Sequence, residues 1–91
     1  MIIHEEVREK LLKDPEVLKE YEAQKAEFEI ARALIKARLK AHMTQVQVAE
    51  RLQTSQSQIA RMESGSYMPS VNSIYRYAQA VQQVIYVSFI P

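Results

Sequence analysis

Two residues suited to starting helices, Thr44 and Ser55, stand close together in the middle of the chain, and each is followed three positions on by a glutamine, Gln47 and Gln58. A hydroxyl residue at the start of a helix and a glutamine at its third position form a capping box, in which each side chain satisfies a free backbone N–H. The spacing predicts one helix opening at Thr44 and another opening at Ser55, each of about eight residues, with only a tight turn between them. Val48, Ala49 and Leu52 share the buried face of the first, and Ile59 and Met62 that of the second. The only glycine of the chain follows at 65, after Ser64. Glycine takes a positive φ without strain, so Ser64-Gly65 is expected to close the second helix with a left-handed cap.

Upstream, Asp14-Pro15 reads as an N-cap followed by proline at the first helical position, where the missing N–H costs nothing. Helical sequence then runs to about Ala41, as one helix or two. Within it Leu18, Tyr21, Phe28, Ala31, Leu34, Ile35 and Arg38 recur at three- and four-residue spacings along one face. Val7 and Leu11 form a shorter stripe before it, in a segment either helical or loose. Downstream, after a loop with Tyr67 and Pro69, Ser70 is placed to cap a further helix carrying Ile74, Ala78 and Val81. From Val84 to Ile90 the apolar period changes to two, with Ile85, Val87 and Phe89 on one face and Val84, Tyr86, Ser88 and Ile90 on the other. A lone strand leaves its backbone unsatisfied, so its partner is expected to be the same strand of a second subunit; the alternative is an extended tail laid over the helices. The fold class is mainly α: a helical bundle with an N-terminal helical arm and one C-terminal β-strand pairing across a dimer.

At 91 residues the chain has room for one core, and its small size favours self-association. Cysteine is absent, which removes disulfides, thiolate metal sites and a cysteine nucleophile. No apolar run approaches membrane-spanning length and no basic start precedes an apolar block, so a cytoplasmic protein with no membrane partner is expected. His4 and His42 are the only histidines, and His42 is read as a favourable end-of-helix residue rather than a metal ligand. With no Ser/His/Asp set and no glycine-rich phosphate loop, neither catalysis nor a cofactor nor a metal is expected. Tyr75, Tyr77 and Tyr86 are read as helical core and dimer packing rather than an aromatic stripe for nucleic acid. The net charge of +1 hides an asymmetry: residues 1–29 hold five Lys/Arg against nine Asp/Glu, and residues 30–91 hold seven against two. The acidic part is either a solvated helix face or a surface for a basic partner.

The unit from 44 to 65 suits the major groove of a duplex, which admits one helix whose N-terminal end faces base edges and phosphate. Gln56, Ser57 and Gln58 occupy the first turn of its second helix, with Arg61 one turn on and Thr54 and Ser55 just before. Glutamine pairs bidentately with adenine and arginine with guanine. Gln45, at the start of the preceding helix, is placed for a phosphate, and Tyr67 in the following loop for another.

The TQ-x-x-x-A start at Thr44 and the Ile59-x-x-Met62-Glu63-x-Gly65 ending resemble the Cro and phage-repressor type of helix-turn-helix, the XRE family, over about residues 28–83. The resemblance implies a buried ion pair between Arg38 and Glu63. Arg38 lies on an apolar helix face, where a carboxylate partner is needed. Glycine is frequent in that family at the positions of His42, Gln53 and Gln82, so those three turns are expected to be distorted, longer in helix, or strained by about 1 kcal/mol each. An acidic DPEV…YE…EFE arm and a closing strand make the whole chain look like antitoxins of the HigA type. That resemblance implies three parts, an arm at 1–27, a DNA-binding domain at 28–83 and a dimerisation strand at 84–91. It also implies a homodimer on an inverted-repeat operator and a small basic ribonuclease toxin held by Val7, Leu11, Leu18 and Tyr21. Ile85, Tyr86, Val87 and Phe89 would form the dimer interface. The alternative is a stand-alone repressor without a toxin.

Overall fold

The computed structural model describes residues 13–83 and Val87. Four helices follow one another: α1 (Pro15–Lys40), α2 (Gln45–Leu52), α3 (Gln56–Met62) and α4 (Val71–Val81). α1 is one continuous helix of 26 residues. The Asp14 carboxylate accepts from the backbone N–H of Glu16 and Val17 at its start, with proline in the first turn.

Burial along α1 begins only at Ile30 and takes in Ala31, Ala33, Leu34 and Ala37. These residues span more than the single expected stripe because the helix is held on two flanks, by α4 and by the loop at Gly65. Phe28, expected on the buried face, is 46% exposed and meets Gly65. The core joins Leu34 to Val48, Ile59, Met62, Tyr77 and Val81, drawing on every helix. Small residues on α1 let its neighbours approach closely.

Three helices end in the same way. His42, Gln53 and Gln82 adopt left-handed φ of 57°, 56° and 53°. After each, the next N–H reaches back five residues: Met43 to the Arg38 carbonyl, Thr54 to Ala49 and Gln83 to Ala78. This is the Schellman closure that glycine ordinarily serves. The turns are thus neither distorted nor longer in helix; they keep a glycine-type conformation with a side chain in place. Such a residue carries about 1–2 kcal/mol of strain, against which glycine loses roughly 0.4–1 kcal/mol through its freer unfolded chain. Gln53→Gly and Gln82→Gly are each expected to raise stability by about 0.5–1 kcal/mol, measured by urea unfolding.

The glycine itself does something else. α3 ends at Glu63, whose φ is −90°, and Gly65 lies two residues further on at φ 74°. It forms the bend that follows the cap rather than the cap, and a Cβ there would stand 3.4 Å from the Phe28 ring and 3.5 Å from the Phe28 Cα. Serine caps α4 as expected, the Ser73 N–H donating to Ser70 Oγ.

No strand occurs among the described residues. Ile85, Tyr86 and Phe89 lie outside them, as do Val7 and Leu11. Val87 is half-buried against the core of its own chain.

Candidate nucleic-acid interface

α2 and α3 meet through the turn at Gln53, and their starts are fixed by side-chain caps. At Thr44 the expected box is complete: the Gln47 N–H donates to Thr44 Oγ1 at 3.1 Å, and the Thr44 N–H to Gln47 Oε1 at 2.8 Å. At Ser55 only half of the expected box forms. The Gln58 N–H donates to Ser55 Oγ, but the Gln58 amide turns away and donates to the Tyr67 hydroxyl at 3.4 Å. A partner nine residues on outcompetes the local one, which no spacing rule within a helix anticipates.

With Ile59 and Met62 buried, α3 turns Gln56, Ser57 and Arg61 outward, with Thr54 and Ser55 exposed just before them. Their functional groups are organised by two supports. On one side, Gln56 Nε2 donates to Gln45 Oε1 at 2.7 Å, and Gln45 Nε2 donates to Glu63 Oε1 at 3.3 Å. Gln45, expected at a phosphate, therefore links the outward face of α3 to the core. On the other side, the Arg61 guanidinium lies over the Tyr67 ring, 4.4 Å from its centre. Tyr67, expected at a phosphate as well, is half-buried and packed against the core.

Beneath both supports lies a buried polar cluster. Arg38 Nε donates to both Glu63 oxygens, Nη2 to Glu63 Oε1 at 2.9 Å, and Nη1 to the Met43 carbonyl at 3.0 Å. The two side chains are only 14% and 3% exposed. The Tyr77 hydroxyl donates to Glu63 Oε2 at 2.7 Å and also lies 3.1 Å from the Leu34 carbonyl. Hydrogen bonding to Glu63 raises the Arg38 pKa further, and burial followed by the bond to Glu63 pushes the Tyr77 phenol well up, so it stays neutral. Every buried side-chain nitrogen and oxygen among the described residues has a partner. Such a filled network fixes the angle between α1, α3 and α4.

Sequence reasoning missed Tyr77 as the third partner of Glu63. Its apolar neighbours on α4 marked it as core, and nothing local signals where its hydroxyl points. Arg51 and Arg76 were missed too: they donate to the Ala80 and Leu52 carbonyls at 2.6 and 3.2 Å and brace α2 against α4. Leu18 and Tyr21 sit on the part of α1 before the core, both half-buried. Tyr21, Phe28, Arg32, Gly65 and Ser66 line a cleft there of about 550 Å³. None of the described helices is long and apolar enough to cross a membrane.

A family model described as helix-turn-helix matches residues 34–83, more than half of the chain. Neither the curated proteins nor the solved structures gave a match.

Proposed function

The chain belongs to the XRE-type helix-turn-helix family of DNA-binding transcription regulators, and from that premise we propose that it is an antitoxin which represses its own operon and neutralises a small basic ribonuclease. In this reading a homodimer binds an inverted repeat, with half-sites about 34 Å apart or a multiple of that, and α3 enters the major groove. The observation that carries the DNA part is the outward set of Gln56, Ser57 and Arg61 on a helix whose opposite face is locked to the core. Amides and a guanidinium on a rigid helix are the groups that discriminate base edges.

The toxin part draws support from α1. Residues 15–29 precede the first buried position and carry Glu16, Glu20, Glu22, Glu27 and Glu29 against Lys19 and Lys25. Val17, Tyr21 and Phe28 fall on one side of that helical stretch, and Val17 and Phe28 are 41% and 46% exposed. An apolar stripe flanked by carboxylates suits a basic groove on a partner. The stand-alone repressor remains the second reading, favoured by the unbroken run of α1 through residues 27 and 28, as if the arm only lengthened the first helix.

Selection from a randomised duplex pool should yield an inverted repeat, and failure to retain any duplex at low salt would remove the DNA reading. Coexpression with the neighbouring small open reading frame should give a stable complex that protects cells. Deleting residues 1–22 should abolish that protection while operator binding persists; protection that survives the deletion would move the toxin-binding surface off the arm, and no complex at all leaves the stand-alone repressor.

A further inference from the structure

We propose that Tyr67 is a positioning residue for base recognition: a platform outside α3 that holds Arg61 and Gln58 ready for the duplex without itself touching a base. The inference rests on α3 reading bases, and it adds what sets the quality of that reading.

Gln58 and Arg61 are three residues apart, so they are neighbours on one flank of α3. Tyr67 reaches that flank from the loop after the helix and meets both: its ring face lies under the Arg61 guanidinium, 4.4 Å away, and its hydroxyl accepts from Gln58 Nε2 at 3.4 Å. Neither partner has another hydrogen bond from its side chain among the described contacts. The platform is anchored, because the Tyr67 side chain packs against the buried cluster of Ile59, Met62 and Tyr77 and its neighbours. A long side chain loses its rotamer freedom when it docks on a base, and one already held loses less. Stacking leaves the edge of the guanidinium, with its fork of N–H donors, free for the O6 and N7 of guanine. The hydroxyl accepts from Gln58 and keeps its own proton, so donation to a phosphate is the rival role for Tyr67, and the duplex-pool experiment separates the two.

The two contacts separate by substitution. Tyr67→Phe removes the hydroxyl and keeps the ring; Tyr67→Leu removes both and keeps an apolar group against the core. In duplex-pool binding, Tyr67→Leu should lower discrimination at the base pairs read by Arg61 and Gln58 by about 3–10-fold each. Affinity for unrelated duplex should stay within about twofold, since phosphate contacts supply that binding. Tyr67→Phe should restore discrimination at the Arg61 base pair and leave the Gln58 base pair relaxed. Uniform weakening across all sequences would mean a phosphate contact, and an unchanged profile would mean no positioning; either overturns the proposal.

A readout without DNA separates failure of this inference from failure of the DNA reading. In NMR spectra of the free full chain, the Arg61 Nε–H and δ protons should show ring-current shifts and restricted motion, retained in Tyr67→Phe and lost in Tyr67→Leu. A freely mobile Arg61 in the unaltered protein overturns the platform even if the duplex binds, whereas ordered side chains with no duplex binding would remove the function of α3 and the proposal with it.

Discussion

Glu63→Ala is expected to lower the free energy of unfolding by about 3–5 kcal/mol, because it strands a buried guanidinium and a buried phenol together. Arg38 would keep only its bond to the Met43 carbonyl, and the Tyr77 hydroxyl only its longer approach to the Leu34 carbonyl. Gln45 Nε2 would lose its acceptor as well, loosening the support under Gln56. A domain of this size holds about 5–15 kcal/mol in total, so the variant would fall near the edge of folding, with the melting temperature lowered by roughly 12–40 °C. Glu63→Gln, which keeps an acceptor but loses the charge, should cost less. The double variant Arg38→Met with Glu63→Leu should recover much of the loss, since a buried pair replaced by apolar groups of similar volume is often neutral. Urea unfolding of the three variants measures this directly. A loss below about 1 kcal/mol for Glu63→Ala would mean that the pair is screened by water like a surface pair, and that something else sets the angle between α1 and α3.

How far the chain could be read from its residues depended on the range of each interaction. Thr44 with Gln47, Asp14 with Pro15, and Ser70 act within one turn of helix, and helices start at all three. Local rules fell short where a distant group competes: Gln58 has an equally good partner in Ser55 by spacing, yet its amide goes to Tyr67. Gly65 shows a related limit. Its positive φ was legible, but its contact with Phe28, whose ring and Cα a Cβ there would just touch, is made only once α1 packs. The pairing of Arg38 with Glu63 followed from the family resemblance and from the cost of an unpaired arginine on an apolar face. The bonds of Gln45 and Tyr77 to the same carboxylate had no signal in spacing, because they join α2 and α4 to α3 across the core. Gln53 and Gln82 carry no intrinsic preference for the left-handed conformation and His42 only a modest one, so only resemblance pointed to the three. The geometry is imposed by the need to close each helix and turn the chain sharply.

Gln56→Ala and Arg61→Ala are expected to erase base preference at different positions of the operator, and this pair of results bears most directly on how α3 works. One bidentate contact discriminates by about 1–3 kcal/mol, and the proposed dimer on an inverted repeat would make each contact twice, so each variant should lose about 2–6 kcal/mol on its best duplex. On unrelated duplex the loss should be small. The alternative role for either residue, holding a phosphate, predicts the reverse: weakening that is uniform across sequences, accompanied in the case of Arg61 by a shallower salt dependence of about one ion per subunit. Arg61→Lys sharpens the distinction, since lysine keeps the charge and lacks the planar fork; it should behave like alanine if Arg61 reads guanine and like the unaltered protein if it neutralises a phosphate. Gln45→Ala isolates support from reading. It leaves the Gln56 amide on the surface but removes the 2.7 Å bond that orients it, so the preference at the Gln56 base pair should weaken without disappearing. Measured as binding to a panel of single-base operator variants at two salt concentrations, these outcomes leave α3 as the reading helix only if the positional pattern changes; a preference unaltered by both Gln56→Ala and Arg61→Ala would move the reading surface elsewhere on the molecule.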